Sequence, residues 1–309
     1  MEKIIIKSVN ISDKKGVVKL PVGQIELDEN GIKYDAHAGK WHRQVSLLAE
    51  ESIKKAESMA NTKFPPGTFA ENITTWGLEL HKTNVFDRFC NDHIELVVTQ
   101  IGKVCHSACE IGKKIGSCIM PLEGIFAKVT KNGMLKNGDV LEYIPKVFDI
   151  RIITLSDRAS AGEYDDISGE KIIELSETWF KNNNLKAKYS KIIIPDEPEI
   201  LEKQLLDIFQ NHADIIFTTG STGISDRDIA PETILPLLDK EIPGIMDMIR
   251  LKYGVDKPNA LLSRSLAGVK NKTLLFALPG SPKAVIEYMN EINNIIYHAL
   301  LMINGINKH

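Results

Sequence analysis

Residues 214–223 read DIIFTTGSTG, an apolar β-branched run that ends in a Thr/Gly turn, and ISDRDIAPETILPLL follows directly. A strand that delivers its chain into glycines at its carboxyl end places backbone N–H groups where an anion can approach them, and Pro231 marks the first turn of a nearby helix. In an open α/β sheet that end of the strand is where ligands bind. The flanking sequence keeps the same rhythm. Strands are expected at 150–155, 191–194, 214–219 and 273–277, with helices at 168–181, 198–210 and 282–303. This βαβ alternation implies a parallel sheet covered on both faces. The last helix carries an apolar stripe of Val285, Met289, Ile292, Ile296, Leu300 and Ile303, which reads as core packing.

Before Lys146 the pattern differs. Short extended segments at 3–9, 94–101, 124–129 and 140–144 are separated by glycine-containing turns, a β-rich signature. The exception, VSLLAEESIKKAESM at 45–59, has helical spacing and predicts one helix packed on a closed or sandwich-like sheet. Only LEYIPKVFDIR joins the halves, with Pro145 as punctuation and no Gly/Ser tether. The expected fold class is therefore two domains: a β-rich, barrel-like domain with a few helices at 1–146, and a three-layer α/β/α domain with a mostly parallel sheet at 147–309. A chain of 309 residues is long enough for two such cores.

With 43% hydrophobic and 26% charged residues, the composition is that of a globular protein. A net charge of -3 offers no broad cationic field, which argues against nucleic acid or an anionic membrane as partner. No run approaches the ~20 apolar residues of a membrane span, and MEKIIIKSVNI, interrupted by Lys7, does not supply the core of a secretory signal. The four cysteines, Cys90, Cys105, Cys109 and Cys118, all lie in the first half and suit a reducing, cytoplasmic location.

LPGSPKAV at 278–285 is a second strand–turn–helix, with Gly280 in the turn, Ser281 at the N-cap, Pro282 at the first helical position and Lys283 as a cation. Either turn alone fits the ordinary punctuation of an α/β protein, and no GxxxxGK[ST] loop is present. Together they point to a polyphosphate. Asp157, Asp196, Asp226, Asp228 and Glu232 fall at the surrounding strand ends and loops. Carboxylates beside phosphates require a hard cation between them, and Mg²⁺ is the natural one.

The islands LSDRASAGEYDDISG, IPDE, TTGSTG with RDIAPE, PGIMDMIR, LLSRSLAG and LPGSPKAV resemble, in order, the MogA/MoaB molybdopterin-binding family, over nearly all of 149–309. The resemblance implies adenylylation of the terminal phosphate of molybdopterin by Mg-ATP, with release of pyrophosphate. It further implies that Asp196 and Asp228 are catalytic and hold Mg²⁺. Thr219, Gly220, Ser221, Thr222 and Gly223 match the family's nucleotide loop, and Gly280, Ser281 and Lys283 of the second turn are expected beside them as nucleotide- or phosphate-binding residues. Ser156, Asp157, Arg158, Ser263 and Arg264 would lie around the pterin and its phosphate. A trimer through this domain is implied, together with contacts to other cofactor-biosynthesis proteins. The sequence departs from the family at TTGSTG for the usual TTGGTG, which puts a Ser221 side chain where close backbone approach is expected, and at Asp247 for the usual Glu.

In the first half, YDAHAGKWHRQVSLL (34–48), FAENITTWGLEL (69–80) and GKVCHSACEIGKKIGSCIMPLEGIFAKV (102–129) resemble the MOSC domain. The resemblance matches its characteristic cysteine to Cys109, implicated in sulfur transfer or as a ligand to molybdenum of the molybdenum cofactor. It implies a pocket lined by His37, Lys40, His42, Arg43, Glu71, Asn72, Thr74 and Thr75. Nearby cations such as Lys103, His106 or Arg43 would favour the thiolate. A zinc site from Cys105, Cys109, Cys118 and a histidine, and a cysteine hydrolase, stand as alternatives, and Cys90 reads as an inert buried thiol. The leading function is a molybdopterin adenylyltransferase fused to a cofactor-handling module. Its rivals are a carrier without turnover and a Cys109-dependent reductase or C–S lyase.

Overall fold

In the computed structural model, which describes residues 2–103 and 118–306, the chain divides into two units, Met1–Lys146 and Val147–His309. The first contains β1 (Lys3–Ile11), β2 (Leu20–Val22), β3 (Gln24–Asp28), β4 (Gly31–Ile32), β5 (Val45–Ala49), α1 (Glu50–Ala60), β6 (Ile73–Trp76), β7 (Arg88–Cys90), β8 (Glu95–Ile101), α2 (Met120–Glu123), β9 (Ile125–Lys131), β10 (Gly133–Lys136) and β11 (Val140–Ile144). Seven strands close a ring in the order β11-β7-β8-β9-β5-β6-β1, because β1 also pairs with β11; β2 adds to β1 outside the ring. Alternate residues of β1, Ile4 and Ile6, point into a core shared with Leu47, Ile73, Phe89, Leu96, Val98 and Leu141.

The expected helix at 45–59 is corrected here: Val45–Ala49 is a fully buried strand, and the helix begins only at Glu50. All five strand residues are covered, which a one-sided helical stripe cannot achieve. β5 and β6 form the ring's parallel pair, and parallel neighbours need a crossover connection, which α1 supplies. Ile53 of α1 seals it against Leu48, Phe69, Met120 and Phe126.

The second unit contains β12 (Val147–Leu155), α3 (Asp157–Ser160), α4 (Ile167–Asn182), β13 (Lys186–Ile194), α5 (Pro198–Gln210), β14 (Ile215–Thr219), α6 (Ala230–Ile234), β15 (Lys240–Glu241), α7 (Pro243–Gly254), β16 (Leu266–Lys270), β17 (Thr273–Leu278), α8 (Pro282–Ile292) and α9 (Ile296–Ile303). The sheet order is β13-β12-β14-β17-β16-β15, parallel from β13 to β17 and antiparallel through β16 and β15, so the sheet is mixed. Ile153, Leu155, Ile216 and Leu275 pack beneath Leu201 and Leu205 of α5 and Ile234 of α6. From β12 the chain runs to β13 on one side and then to β14 on the other, so the strand order reverses between β12 and β14. A crevice forms at such a reversal.

The single helix expected at 282–303 is two, interrupted at 293–295. Asn294 turns its side-chain amide onto the Asn290 carbonyl (3.0 Å), and short polar side chains compete in this way with the helical ladder.

Candidate functional site

The carboxyl ends of β12, β13, β14 and β17 supply the site. At the end of β14, Gly220 has φ +98°, and a Cβ built on it would lie 2.2 Å from the Leu155 carbonyl oxygen, so the turn can pass β12 only as glycine. Gly280, after β17, also makes a tight approach, its built Cβ 3.2 Å from the Gly220 Cα. Thr219 Oγ1 donates to the Pro279 carbonyl (2.8 Å) and Ser168 Oγ to the Gly280 carbonyl (2.7 Å), which locks the two turns together.

Facing the turns are two aspartates joined reciprocally. The Asp157 N–H donates to Asp196 Oδ2 (3.1 Å) and the Asp196 N–H to Asp157 Oδ1 (3.0 Å). Burial pushes the Asp196 carboxyl above its ordinary value, and the Asp157 charge adds to this, against the Asp157 N–H. Asp228 goes the other way. Burial would raise it, yet bonds from the Ser225 hydroxyl and N–H (2.7 and 2.8 Å to Oδ2), the Gly223 N–H and the Arg264 charge hold it below the usual range.

Ser156, Asp196, Thr219, Gly220, Ser221, Asp228 and Gly280 line one cavity of about 460 Å³, with Tyr164, Asp165, Asp166, Ser168 and Arg227. Asp228 also lines a neighbouring cavity of about 660 Å³, where Glu202, Asp226, Glu232 and Arg264 stand among apolar residues. The remaining expected residues lie outside both linings. Thr222 is buried, and its carbonyl and that of Gly223 accept Arg264 N–H and Nε–H (2.8 and 2.6 Å). Arg264 also donates to the Asp228 carbonyl (2.7 Å) and pairs with Glu232, so it clamps the loop. Ser263 Oγ meets Ser265 Oγ (2.8 Å), Arg158 pairs with Glu163, and Lys283 is exposed on α8. Ser281 occupies the N-cap of α8 without a side-chain capping bond. Asp247 bonds Arg250 within α7 (2.6 Å).

Ser221 has φ +56°, a position suited to glycine. Its hydroxyl, instead of filling the turn, donates to the Arg227 carbonyl (3.0 Å) and accepts the Ile229 N–H (2.8 Å). Sequence reading missed Asp166 and Arg227, although both stand inside quoted islands, because spacing does not show which loop residues turn inward.

In the first unit, Cys109, Cys105 and His106 lie outside the described residues. Lys103 and Cys118 line a cavity of about 130 Å³ with His37, Arg43, Ser46, Asn72 and Phe69. Arg43 sits over the Trp41 ring (4.9 Å), and its buried Nε has no hydrogen-bond partner among the described residues. Lys40 is exposed, and the His42 carbonyl accepts Thr99 Oγ1 (2.5 Å). Glu71, Thr74 and Thr75 are buried in the wall instead of lining the cavity. Glu71 accepts the Gly67 and Phe69 N–H groups and the Thr74 hydroxyl (2.6, 3.0 and 3.1 Å), and burial raises its carboxyl above the usual value. Behind His37 lies a fully buried pair that the sequence did not announce: Lys19 Nζ is 2.5 Å from Asp35 Oδ2 and 3.2 Å from His37 Nδ1. Burial would raise Asp35, but the His37 and Lys19 bonds hold it far below its ordinary value.

Paired glycine turns and facing carboxylates at a strand-order reversal mark the second unit as an open α/β domain with its candidate site at the switch point. A family model described as "Probable molybdopterin binding domain" matches residues 151–298, and the MOSC domain model matches 34–142. The molybdopterin adenylyltransferase of Helicobacter pylori strain J99 is 36% identical over 157 residues, 50% of this chain and 88% of that protein. That of Escherichia coli K12 is 31% identical over 157 residues, 49% of this chain and 78% of that protein. The solved MoaB of Thermus thermophilus is 35% identical, covering 52% of this chain and 98% of that one at a TM-score of 0.46. The chain belongs to the molybdopterin adenylyltransferase family through its second unit, with a MOSC domain before it.

Proposed function

We propose that the second unit, 147–309, is a three-layer α/β/α domain that transfers AMP from Mg-ATP to the terminal phosphate of molybdopterin and releases pyrophosphate. The observation that carries this reading is the convergence of Asp196, Asp228 and both glycine turns on one cavity. A phosphate oxygen of molybdopterin forms a bond to the α-phosphorus, the bond from that phosphorus to the α,β-bridging oxygen breaks, and pyrophosphate leaves with the electron pair. A phosphate monoester is already ionised near neutral pH, so the nucleophile needs no general base. The described lining accordingly holds no histidine, only positioning groups and carboxylates.

The donor set suits Mg²⁺. Among the described residues no three Asp, Glu, His or Cys side chains form a metal cage, and Mg²⁺ is commonly held by one or two carboxylates plus substrate phosphates. Asp196 and Asp228 would hold it, and it would supply charge neutralisation at the transferred phosphate. Backbone N–H groups of the turns around Gly220 and Gly280 orient the phosphates, and Arg264 keeps the Asp228 loop in place. Pterin would enter the adjoining cavity past Asp228. We place this activity in the cytoplasm, in a trimer formed through the second unit, and assign the first unit, 1–146, to handling the molybdenum cofactor at Cys109. The Arg43 and Lys103 side chains that line the 130 Å³ cavity beside His37 support binding of an anionic cofactor in this unit.

The test is steady-state pyrophosphate release with molybdopterin and Mg-ATP. Asp196→Asn and Asp228→Asn are expected to lower the rate on the order of 10²-fold with the fold intact. Unchanged rates in both variants would remove the metal role from these residues. A wild-type chain that binds both substrates without releasing pyrophosphate would leave a carrier.

A further inference from the structure

Arg227 is the one cation among the described residues that line the 460 Å³ cavity, whose carboxylates are Asp165, Asp166, Asp196 and Asp228. Its backbone is pinned, since its carbonyl accepts the Ser221 hydroxyl and the next-but-one N–H, from Ile229, donates to that same hydroxyl. Its side chain is 64% exposed and held by an ion pair with Asp157. Asp157 in turn is the residue clasped to Asp196 by reciprocal backbone bonds. An exposed ion pair is worth little and is readily exchanged for a better partner. A guanidinium fork matches phosphate oxygens bidentately, which makes a triphosphate that partner. The cavity also needs it. Asp166 is paired with Lys191 (3.3 Å), but Asp165, Asp196 and Asp228 beside a polyphosphate leave a charge excess that one divalent metal does not remove.

We propose that Arg227 is a phosphate ligand of the bound nucleotide, resting on Asp157 in the free protein and passing to the triphosphate when the nucleotide enters. This rests on the adenylyl-transfer reading above and adds to it a residue that acts in nucleotide binding. Because the anchoring hydroxyl belongs to Ser221, the side chain at the loop's left-handed position serves to aim Arg227.

Calorimetric titration of the full chain with Mg-ATP tests this. Arg227→Met is expected to weaken Mg-ATP binding about tenfold or more, with part of the loss recovered in Arg227→Lys. Asp157→Asn, which removes the charge that holds Arg227 at rest but keeps an amide oxygen to accept the Asp196 N–H, is expected to bind Mg-ATP at least as tightly as the wild type. If Arg227 merely staples two loops together, Arg227→Met and Asp157→Asn will weaken binding alike, and that result overturns the proposal, as does wild-type affinity in Arg227→Met. Thermal melting of each variant at the wild-type temperature confirms that the comparison is between folded proteins. A wild-type chain that does not bind Mg-ATP sinks the adenylyl-transfer reading itself. Wild-type binding with an unaffected Arg227→Met removes only the role of Arg227.

Discussion

Asp196 and Asp228 are the same residue type on one cavity, yet their surroundings drive them in opposite directions. Asp228 is surrounded by donors and stays ionised, whereas Asp196 is pushed up by burial and by the charge of Asp157. The sign of the consequence follows. Metal binding requires the ionised form, so turnover should fall as pH drops through the raised Asp196 value, giving an acid limb above the range of an ordinary aspartate. A folded-state value raised above the unfolded one also means that ionising Asp196 opposes folding, so its burden on stability is present at neutral pH and relieved as pH falls. Asp196→Asn should therefore melt at or above the wild-type temperature at pH 7 while losing turnover and the acid limb together. A rate profile and a melting curve across the same pH range check this, and an acid limb that persists unshifted in a residually active Asp196→Asn assigns the titration elsewhere. Asp228 was singled out beside Asp196 from the sequence, but nothing in the spacing of IPDE and RDIAPE distinguishes their environments.

Elements repeat the lesson at larger size. The strand–turn–helix units at 214–238 and 278–285 were legible because β-branched runs, glycines and prolines carry local physics: restricted χ1, positive φ and fixed φ. Val45–Ala49 was not, because its five residues are buried by neighbours distant in sequence, and a short apolar run fits strand or helix equally. The start of α4 shows how an element places a site. Asp166 caps it, Oδ1 accepting the Gly169 N–H (2.8 Å), while Oδ2 accepts the Thr154 hydroxyl (2.7 Å) and faces Lys191 (3.3 Å). This carboxylate fixes the helix that brings Ser168 onto the Gly280 turn. Asp166→Ala is expected to destabilise the protein by about 1–2 kcal/mol from the lost cap and buried bonds. It should also raise the KM for Mg-ATP more than it lowers kcat, because it loosens a binding turn without touching the reacting atoms. Urea unfolding and initial rates measure the two effects, and a KM left at the wild-type value would separate the cap from the site.

For the whole molecule, the change of hydrophobic period near Lys146 carries a prediction about independence. A fragment of 147–309 is expected to catalyse adenylyl transfer with a kcat/KM within a few-fold of the full chain, because every residue assigned to that reaction lies within it. Pyrophosphate release from the fragment decides the point, and an inactive but folded fragment would give the first unit a part in this step. By itself the sequence determined the two kinds of architecture, the paired glycine turns and the acidic character of the loops around them, since these rest on periodicity, on backbone-restricting residues and on charge, all of which act locally. The mixed sheet, the crossover of α1 and the break before α9 depend on which segments become neighbours. So do the buried Lys19–Asp35 pair, the Arg264 clamp and the turning of Arg227 toward Asp157. Their partners are far apart in the chain, and the energies that select them, desolvation and close packing, exist only once the tertiary structure has removed those groups from water.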